Sequence, residues 1–296
     1  MAIPSPAQLL STYGLSPKHS FGQNFLCERH FTEKIAELAA FEPGLSVLEL
    51  GAGLGALTDA LLARECQLTV VERDRDLVPV LGEIFAQATA SGQLEILEAD
   101  AKALDFAEVL AARASSQLAS GEGSEVPPWV ITGNLPYQIT GPLLEKTVHL
   151  GRRIRRAVYL VQKEVADRLA AGPGTKEYGA LSVFVQAQFV VERAFVIKPG
   201  AFIPRPRVDS AVVVLRPHKV AVSEETPAFK KAVKSAFGAR RKTLRNAWRS
   251  LLPSAELEQL AARCGISLDQ RGETLSVAQF AQFASGLSAL QTDEQP

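Results

Sequence analysis

Directly after the apolar run Trp129, Val130 and Ile131 the chain reads TGNLPYQIT, from Thr132 to Thr140. A strand that only fills a core ends in Gly, Asp or Asn and needs no amide, rigid ring and aromatic in succession. Asn134 offers a side-chain acceptor, Pro136 locks the backbone direction, and Tyr137 offers a flat apolar face. On its own the stretch fits a strand-ending turn with a surface tyrosine equally well. A second cluster carries the decision. In ELGAGLGALT, Gly51, Gly53 and Gly55 sit between an apolar run and a helical pattern. A tight turn there lets a ligand approach the backbone and the helix N-terminal amides. Glu72 closes the next apolar run roughly 20 residues on, the place of a carboxylate that accepts from both hydroxyls of a ribose. A dinucleotide-binding dehydrogenase offers the same pair, so these residues define an adenosine ligand without separating NAD from others.

Two further acids narrow the ligand. Glu49 stands just before Gly51, where a carboxylate repels a pyrophosphate but suits an ammonium group. Asp100, in EAD after the third apolar run, is placed to accept from an adenine amine. Singly, each is an ordinary strand-end or helix-cap carboxylate. Together, in register with the glycines, they suit S-adenosylmethionine, which is cationic at its sulfur and its amino group. With a methyl donor beside it, NLPY acquires a purpose. The amine of adenine is a poor nucleophile because its lone pair is delocalised into the ring. Acceptors at the Asn134 side-chain oxygen and the Leu135 carbonyl would draw that nitrogen toward tetrahedral geometry, while Pro136 aims the carbonyl and Tyr137 stacks on the base. Catalysis of this kind is positioning and hydrogen bonding, without a strong general base.

The elements that must hold these residues alternate along the chain. SVLEL (46–50), LTVVE (68–72), LEIL (94–97), WVIT (129–132) and AVYLV (157–161) read as buried strands. Helical patterns cover 56–65 and 76–90, the latter with Pro79 near its start. Such alternation predicts an α/β fold, a doubly wound, mostly parallel sheet covered on both faces. FVVERAFVI (189–197) and DSAVVVL (209–215) read as a strand pair added antiparallel at one edge. The first thirty residues read as an arm, followed by a helix with Phe31, Ile35, Leu38 and Ala39 on one face. RASSQLASGEGSEVPP (113–128) reads as a mobile surface loop. Strands stop past residue 218, and helices are expected over 227–237, 240–252, 255–264 and 276–290. The division is therefore a domain over 1–218 and a small all-helical domain over 219–296.

Composition sets the class. At 47% apolar and 22% charged, the 296 residues match an ordinary soluble protein without a secretory or membrane-spanning segment. Cys27, Cys66 and Cys264 are scattered, as are the four histidines, which predicts a cytoplasmic protein with no disulfide framework and no metal. Charge is less even. Of 32 basic residues against 32 acidic, eight lie between Phe229 and Leu252 with no acid among them: Lys230, Lys231, Lys234, Arg240, Arg241, Lys242, Arg245 and Arg249. The rest of the chain is left at −8. Arg152 and Arg153, in RRIRR (152–156), begin a second basic cluster. Blocks this pure bind polyanions or form a solvated face. On the expected 240–252 helix, Arg241, Arg245 and Arg249 form a stripe for phosphate, beside an apolar face of Leu244, Trp248 and Leu251.

Six motifs, HSFGQNFL (19–26), VLELGAGLGALT, VVERD, EADA, GNLPYQIT and FIPRPRVDSAVVVL (202–215), follow one another in a known order. From about residue 17 to 280 the chain resembles the small-subunit rRNA adenine-N6,N6-dimethyltransferases, the KsgA/RsmA family. The resemblance implies a Rossmann-like S-adenosylmethionine-dependent domain and a C-terminal RNA-binding domain. It implies donor contacts from Asn24, Leu26, Gly51, Gly53, Glu72, Asp100 and Asn134, with the Ala101 amide near the donor adenine. Phe202 is implied as a second aromatic against the target base, where a core aromatic is the plainer reading. The implied substrate is a pair of adjacent adenosines in a loop near the 3′ end of 16S rRNA, within an immature small subunit, and a monomer is expected. The 113–128 segment is longer than the family pattern, and the extension before LSPKHS is expected to be disordered. Three other readings stay open: a large-subunit rRNA adenine methyltransferase of the macrolide-resistance type, a non-catalytic RNA-binding or assembly factor, and an NAD-linked oxidoreductase.

Overall fold

The computed structural model describes residues 3–119, 129–238 and 241–293. Its strands are β1 (Phe25–Leu26), β2 (Ser46–Leu50), β3 (Gln67–Glu72), β4 (Leu94–Glu98), β5 (Trp129–Asn134), β6 (Ile154–Gln162), β7 (Phe189–Ile197), β8 (Phe202–Ile203) and β9 (Ser210–Pro217). Seven of them form one sheet in the order β4-β3-β2-β5-β6-β9-β7, and β1 pairs with β8 separately. The pairs from β4 through β6 are parallel, and β9 joins β6 antiparallel. Apolar runs without alternation explain this, since strands covered on both faces need no polar side. All five residues of β2 are buried, as are Ser210 to Leu215 of β9.

Order along the sheet positions the site. From β2 the chain winds outward to β3 and β4, then returns to the other flank of β2 as β5. At such a reversal the loops leaving adjacent strands diverge and open a crevice at the carboxyl ends. Gly133 lies at this seam. A Cβ on it would stand 2.4 Å from the Leu50 carbonyl oxygen, so β2 and β5 approach as closely as they do only because no side chain intervenes.

The chain forms two compact units, one of residues 1–166 and 192–216, the other of residues 167–191 and 217–296. The second unit therefore takes in a helix from the middle of the chain, Ala180–Gln188, in addition to everything past 218. Its core gathers Tyr178 and Val183 with Phe229, Trp248, Phe280 and Phe283. Trp248 stacks on Phe283 at 3.9 Å and donates its indole N–H to the Ala232 carbonyl at 2.9 Å.

Several local expectations are corrected. The N-terminal extension contains a helix, Pro6–Thr12, started by a capping box of Ser5 and Gln8 with Pro6 in the first turn. Leu9 and Leu10 of that helix pack with Phe25, Leu54 and Leu77. Residues 113–119 continue the helix Phe106–Ala119 and are not loop, while 120–128 lie outside the described residues. The helix expected over 240–252 is confined to Leu244–Trp248, and the one over 76–90 divides at Phe85 into Leu77–Ile84 and Ala86–Ala90.

Replacing Gly133 by Ala should force β5 away from β2 and cost about 1–3 kcal/mol. A fall of several degrees in the thermal midpoint would report it; an unchanged midpoint would mean the seam has slack.

Candidate active site

The crevice holds a cavity bounded by Gly51, Gly53, Glu72, Asp100 and Ala101 on one side and by Asn134 to Tyr137 on another. Gly51 adopts φ +76°, which favours a residue without Cβ, and its N–H donates to the Val71 carbonyl at 2.8 Å. The turn that follows is fastened to the neighbouring strand. Glu72 accepts from the Gly53 N–H at 2.8 Å on one oxygen and from the Asp74 N–H at 2.9 Å on the other. Burial raises its pKa even against those hydrogen bonds. A carboxylate has about four acceptor positions; the Arg73 backbone N–H bears on this one as well, which leaves acceptor capacity on a residue that lines the cavity. Asp100 accepts from the Lys102 N–H at 2.9 Å and stands 3.3 Å from the Arg73 guanidinium, which itself lies 4.3 Å over the Phe21 ring.

NLPY is held by equally specific contacts. Asn134 donates its side-chain amide to the Asn24 carbonyl at 2.8 Å, which leaves its side-chain oxygen as an acceptor. Leu135 donates its N–H to the Leu160 carbonyl at 3.0 Å, while its own carbonyl accepts from no donor among the described residues. The Pro136 carbonyl is occupied, accepting from the Ile139 N–H at 3.0 Å and the Thr140 hydroxyl at 3.1 Å. Tyr137 is anchored through its hydroxyl, 3.0 Å from the Ser210 hydroxyl on β9, so its ring has a fixed direction. Burial pushes its pKa up, and it stays neutral.

Glu49 stands apart. It is 1% exposed, accepts from the Thr58 hydroxyl at 2.7 Å, and lines an adjoining cavity with Leu26, Gly51 and Asn134. Burial pushes its carboxyl up to about 8, the Thr58 hydrogen bond opposing and the nearby Glu72 charge adding. Among the described residues no basic side chain pairs with it. Such a carboxyl is neutral at pH 7 unless a cation is brought to it.

Some assignments move. Phe202 is 1% exposed, belongs to the main core beside Leu26, its partner in the β1–β8 pair, and does not line the cavity. Its position is that of a core aromatic. Asn24 lines the cavity and Leu26 the adjoining one. Of the basic residues, Arg152 and Arg153 are exposed on a short turn, and Arg241, Lys242 and Arg249 are exposed in the second unit. Arg245 is instead committed to Glu258 at 2.5 Å, with Asp269 at 3.7 Å, so the phosphate stripe loses its middle member. Arg240 lies outside the described residues. Arg155 and Arg156 of RRIRR are structural: one pairs with Glu42, the other stacks on Phe41 at 3.7 Å. Sequence reasoning missed Asp74, which receives Lys18 at 2.5 Å and Gln23 at 2.7 Å; the second acid of ERD, two residues past Glu72, was its only signal.

A mostly parallel sheet with one antiparallel strand, a Gly-rich turn after its first strand and carboxylates after the next two define a Rossmann-like methyltransferase. Residues 14–288 match the family model described as ribosomal RNA adenine dimethylase. The chain belongs to that family: it is an rRNA adenine dimethyltransferase and acts on ribosomal RNA. A protein named ribosomal RNA small subunit methyltransferase A from Anaeromyxobacter sp. (strain K) is 47% identical over 94% of this chain and 96% of its own length. Its namesake from Geobacter metallireducens is 41% identical over 94% and 98%. A solved dimethyladenosine transferase from Plasmodium falciparum superposes with a TM-score of 0.68 over 88% of this chain and 95% of its own, at 22% identity, a likeness of fold. Among the described residues no helix is long and apolar enough to cross a membrane, and no cluster of metal-ligating side chains is found.

Glu49 makes stability depend on pH in a definite direction. Unfolded, a glutamate titrates near about 4.3; folded, this one keeps its proton to about 8. Between those values the folded chain binds a proton that the unfolded chain has lost, so stability falls as pH rises. Glu49→Gln should remove that slope. Its denaturation midpoint should exceed the wild type's by a margin that widens up to about pH 8; parallel curves for the two proteins would contradict the neutral carboxyl.

Proposed function

We propose that the cavity binds S-adenosylmethionine and that the chain dimethylates the N6 amines of two adjacent adenosines near the 3′ end of small-subunit RNA. The observation that carries this reading is one cavity lined by Asn134, Leu135 and Tyr137 together with Gly51, Glu72 and Asp100, the Asn134 amide nitrogen being engaged by Asn24 and the Tyr137 hydroxyl by Ser210. The donor set fits this cofactor. Glu72 keeps acceptors for ribose hydroxyls and Asp100 stands at the far end for adenine. Glu49 is a buried carboxyl awaiting a cation, beside the glycine turn. When bound, the cofactor supplies an electrophilic methyl group on sulfonium.

What the residues of this chain contribute is the placement of the amine. Two acceptors on one wall take the two N–H bonds of adenine N6 and point its lone pair away from them. The target base must leave its stack to reach them, and the Tyr137 ring replaces part of the lost stacking. Held beside that lone pair, the cofactor would supply the methyl group, and the amine that accepted it would carry the positive charge. That cation sheds its proton to water readily, so no strong base is required. Phe202 backs the wall from the core in this account and does not touch the base. Arg152, Arg153, Arg241, Lys242 and Arg249 hold phosphate, which positions RNA without reading its sequence.

The small-subunit name of the curated relatives supports small-subunit RNA over the large-subunit alternative. Labelled methyl transfer to small subunits lacking the modification tests the proposal. N6,N6-dimethyladenosine should appear in small-subunit RNA, and Asn134→Ala should lower the rate by about a hundredfold or more. Label confined to large-subunit RNA would favour the resistance-type substrate. Replacing Arg241 and Lys242 together by Ala should weaken RNA binding at all sequences and flatten its dependence on log salt by about one to two units of slope. An unchanged slope would remove these residues from the RNA surface.

A further inference from the structure

The segment from Phe21 to Phe25 forms a wall of the cavity, yet it has little structure of its own. It consists of a three-residue turn, His19–Phe21, the left-handed Gly22 at φ +66°, and the two residues of β1. At its cavity end one carboxylate fastens it. Asp74, 2% exposed, receives the Lys18 ammonium at 2.5 Å on one oxygen and the Gln23 side-chain amide at 2.7 Å on the other. Gln23 turns its carbonyl oxygen back to accept the Lys18 N–H at 2.7 Å, which closes residues 18 to 23 into a loop around Asp74. Asp76 adds a contact to Lys18 at 2.6 Å. From its backbone, Asp74 also holds the site: its N–H donates to Glu72, which accepts from Gly53. Asp74 itself does not line the cavity.

We propose that Asp74 is a positioning residue that clasps the 18–24 arm over the cavity and so sets the affinity for the methyl donor, without touching the reacting atoms. This rests on the reading of the cavity as the S-adenosylmethionine site. The chemistry of the clasp is demanding. Desolvation works against the Asp74 charge, but the hydrogen bonds from Lys18, Gln23 and the Asp76 N–H together hold its carboxyl below the usual carboxylate range. Its hydrogen bonds to Asp74 and Asp76 raise the Lys18 pKa in turn. Removing the charge leaves a cation facing one acceptor fewer. An asparagine would also turn an N–H₂ toward either Lys18 or Gln23, both donors. Gln23 cannot flip to accept it without giving up the Lys18 N–H. Residues 18–23 would then loosen, while Asn24 keeps its bond from Asn134 and β2, β3 and the Gly53–Glu72 bond stay in place, because among the described residues no contact of the main sheet runs through the Asp74 side chain.

Asp74→Asn and Lys18→Met test this, each assayed for methyl transfer, for S-adenosylmethionine binding by calorimetry, and for backbone hydrogen exchange in the donor-free protein. The expected result for Asp74→Asn is a dissociation constant and a KM for S-adenosylmethionine raised about tenfold or more, with kcat within about twofold. Exchange should quicken over residues 19–26 and stay unchanged in β2 to β5. Lys18→Met, whose side chain is partly exposed, should show the same pattern more weakly, and the double variant should be no worse than Asp74→Asn. An unaltered dissociation constant in both variants overturns the proposal. So does a loss of kcat at unchanged KM, or faster exchange throughout the sheet, since each assigns Asp74 another role. If the wild type fails to bind S-adenosylmethionine, the donor-site reading fails; if it binds and the variants bind equally, only the clasp fails.

Discussion

The Gly53 N–H donates to the Glu72 carboxylate, and through this contact the loops leaving β2 and β3 become one surface. Parallel strands share hydrogen bonds only along their length. Beyond their carboxyl ends nothing in the sheet obliges the loops to keep a fixed distance. A buried carboxylate at the end of β3 meets backbone N–H groups both from the turn after β2 and from its own loop. The adjoining strand, β5, is set by Gly133 against the Leu50 carbonyl. The glycine turn, Glu72 and Asn134 to Tyr137 then inherit their places from three neighbouring strands whose ends are tied.

The electrostatics follow from the same arrangement. Glu49, Glu72, Asp74 and Asp100 gather at one end of the sheet, and among the described residues cations reach only two of them: Lys18 pairs with Asp74 and Arg73 with Asp100. Among the described residues Glu49 and Glu72 receive neutral donors alone, and burial moves both toward their protonated forms. A site built so is unsatisfied toward positive charge. A dinucleotide, with its pyrophosphate, would meet this end of the sheet at a disadvantage, whereas a ligand with an ammonium group relieves it. The distinction between these two adenosine ligands lies in Glu49 more than in the glycines.

Strands were legible because burial on both faces imposes unbroken apolar runs, as in Ser210 to Leu215, and the turn glycines were legible because positive φ selects them. The place of NLPY at the cavity was legible because an Asn, a Pro and a Tyr so close together answer no packing need. Partners across the fold were not. Arg245 and Glu258 are separated by 13 residues and joined only by tertiary packing, so a stripe of charge read along one helix missed the partner that engages its middle member. Phe202 reads alike as a ring in a slot or in a core, and its burial among core side chains across the fold is not announced by the sequence. The first turns of the chain carried a capping box, but seven residues cannot hold a helix without the docking of Leu9 and Leu10, which the sequence does not announce.

The small pairing of β1 with β8 has a bearing on synthesis. Phe25 faces Ile203 and Leu26 faces Phe202, so the outer edge of the arm is completed by residues that emerge from translation long after it. The sheet from β2 to β5, the glycine turn and the Asp74 carboxylate are all made before then. A nascent chain can therefore assemble the floor of its binding site early while the wall lacks its second strand, and a truncated product ending before residue 202 would carry that floor without a finished wall. Competence arrives late in the message.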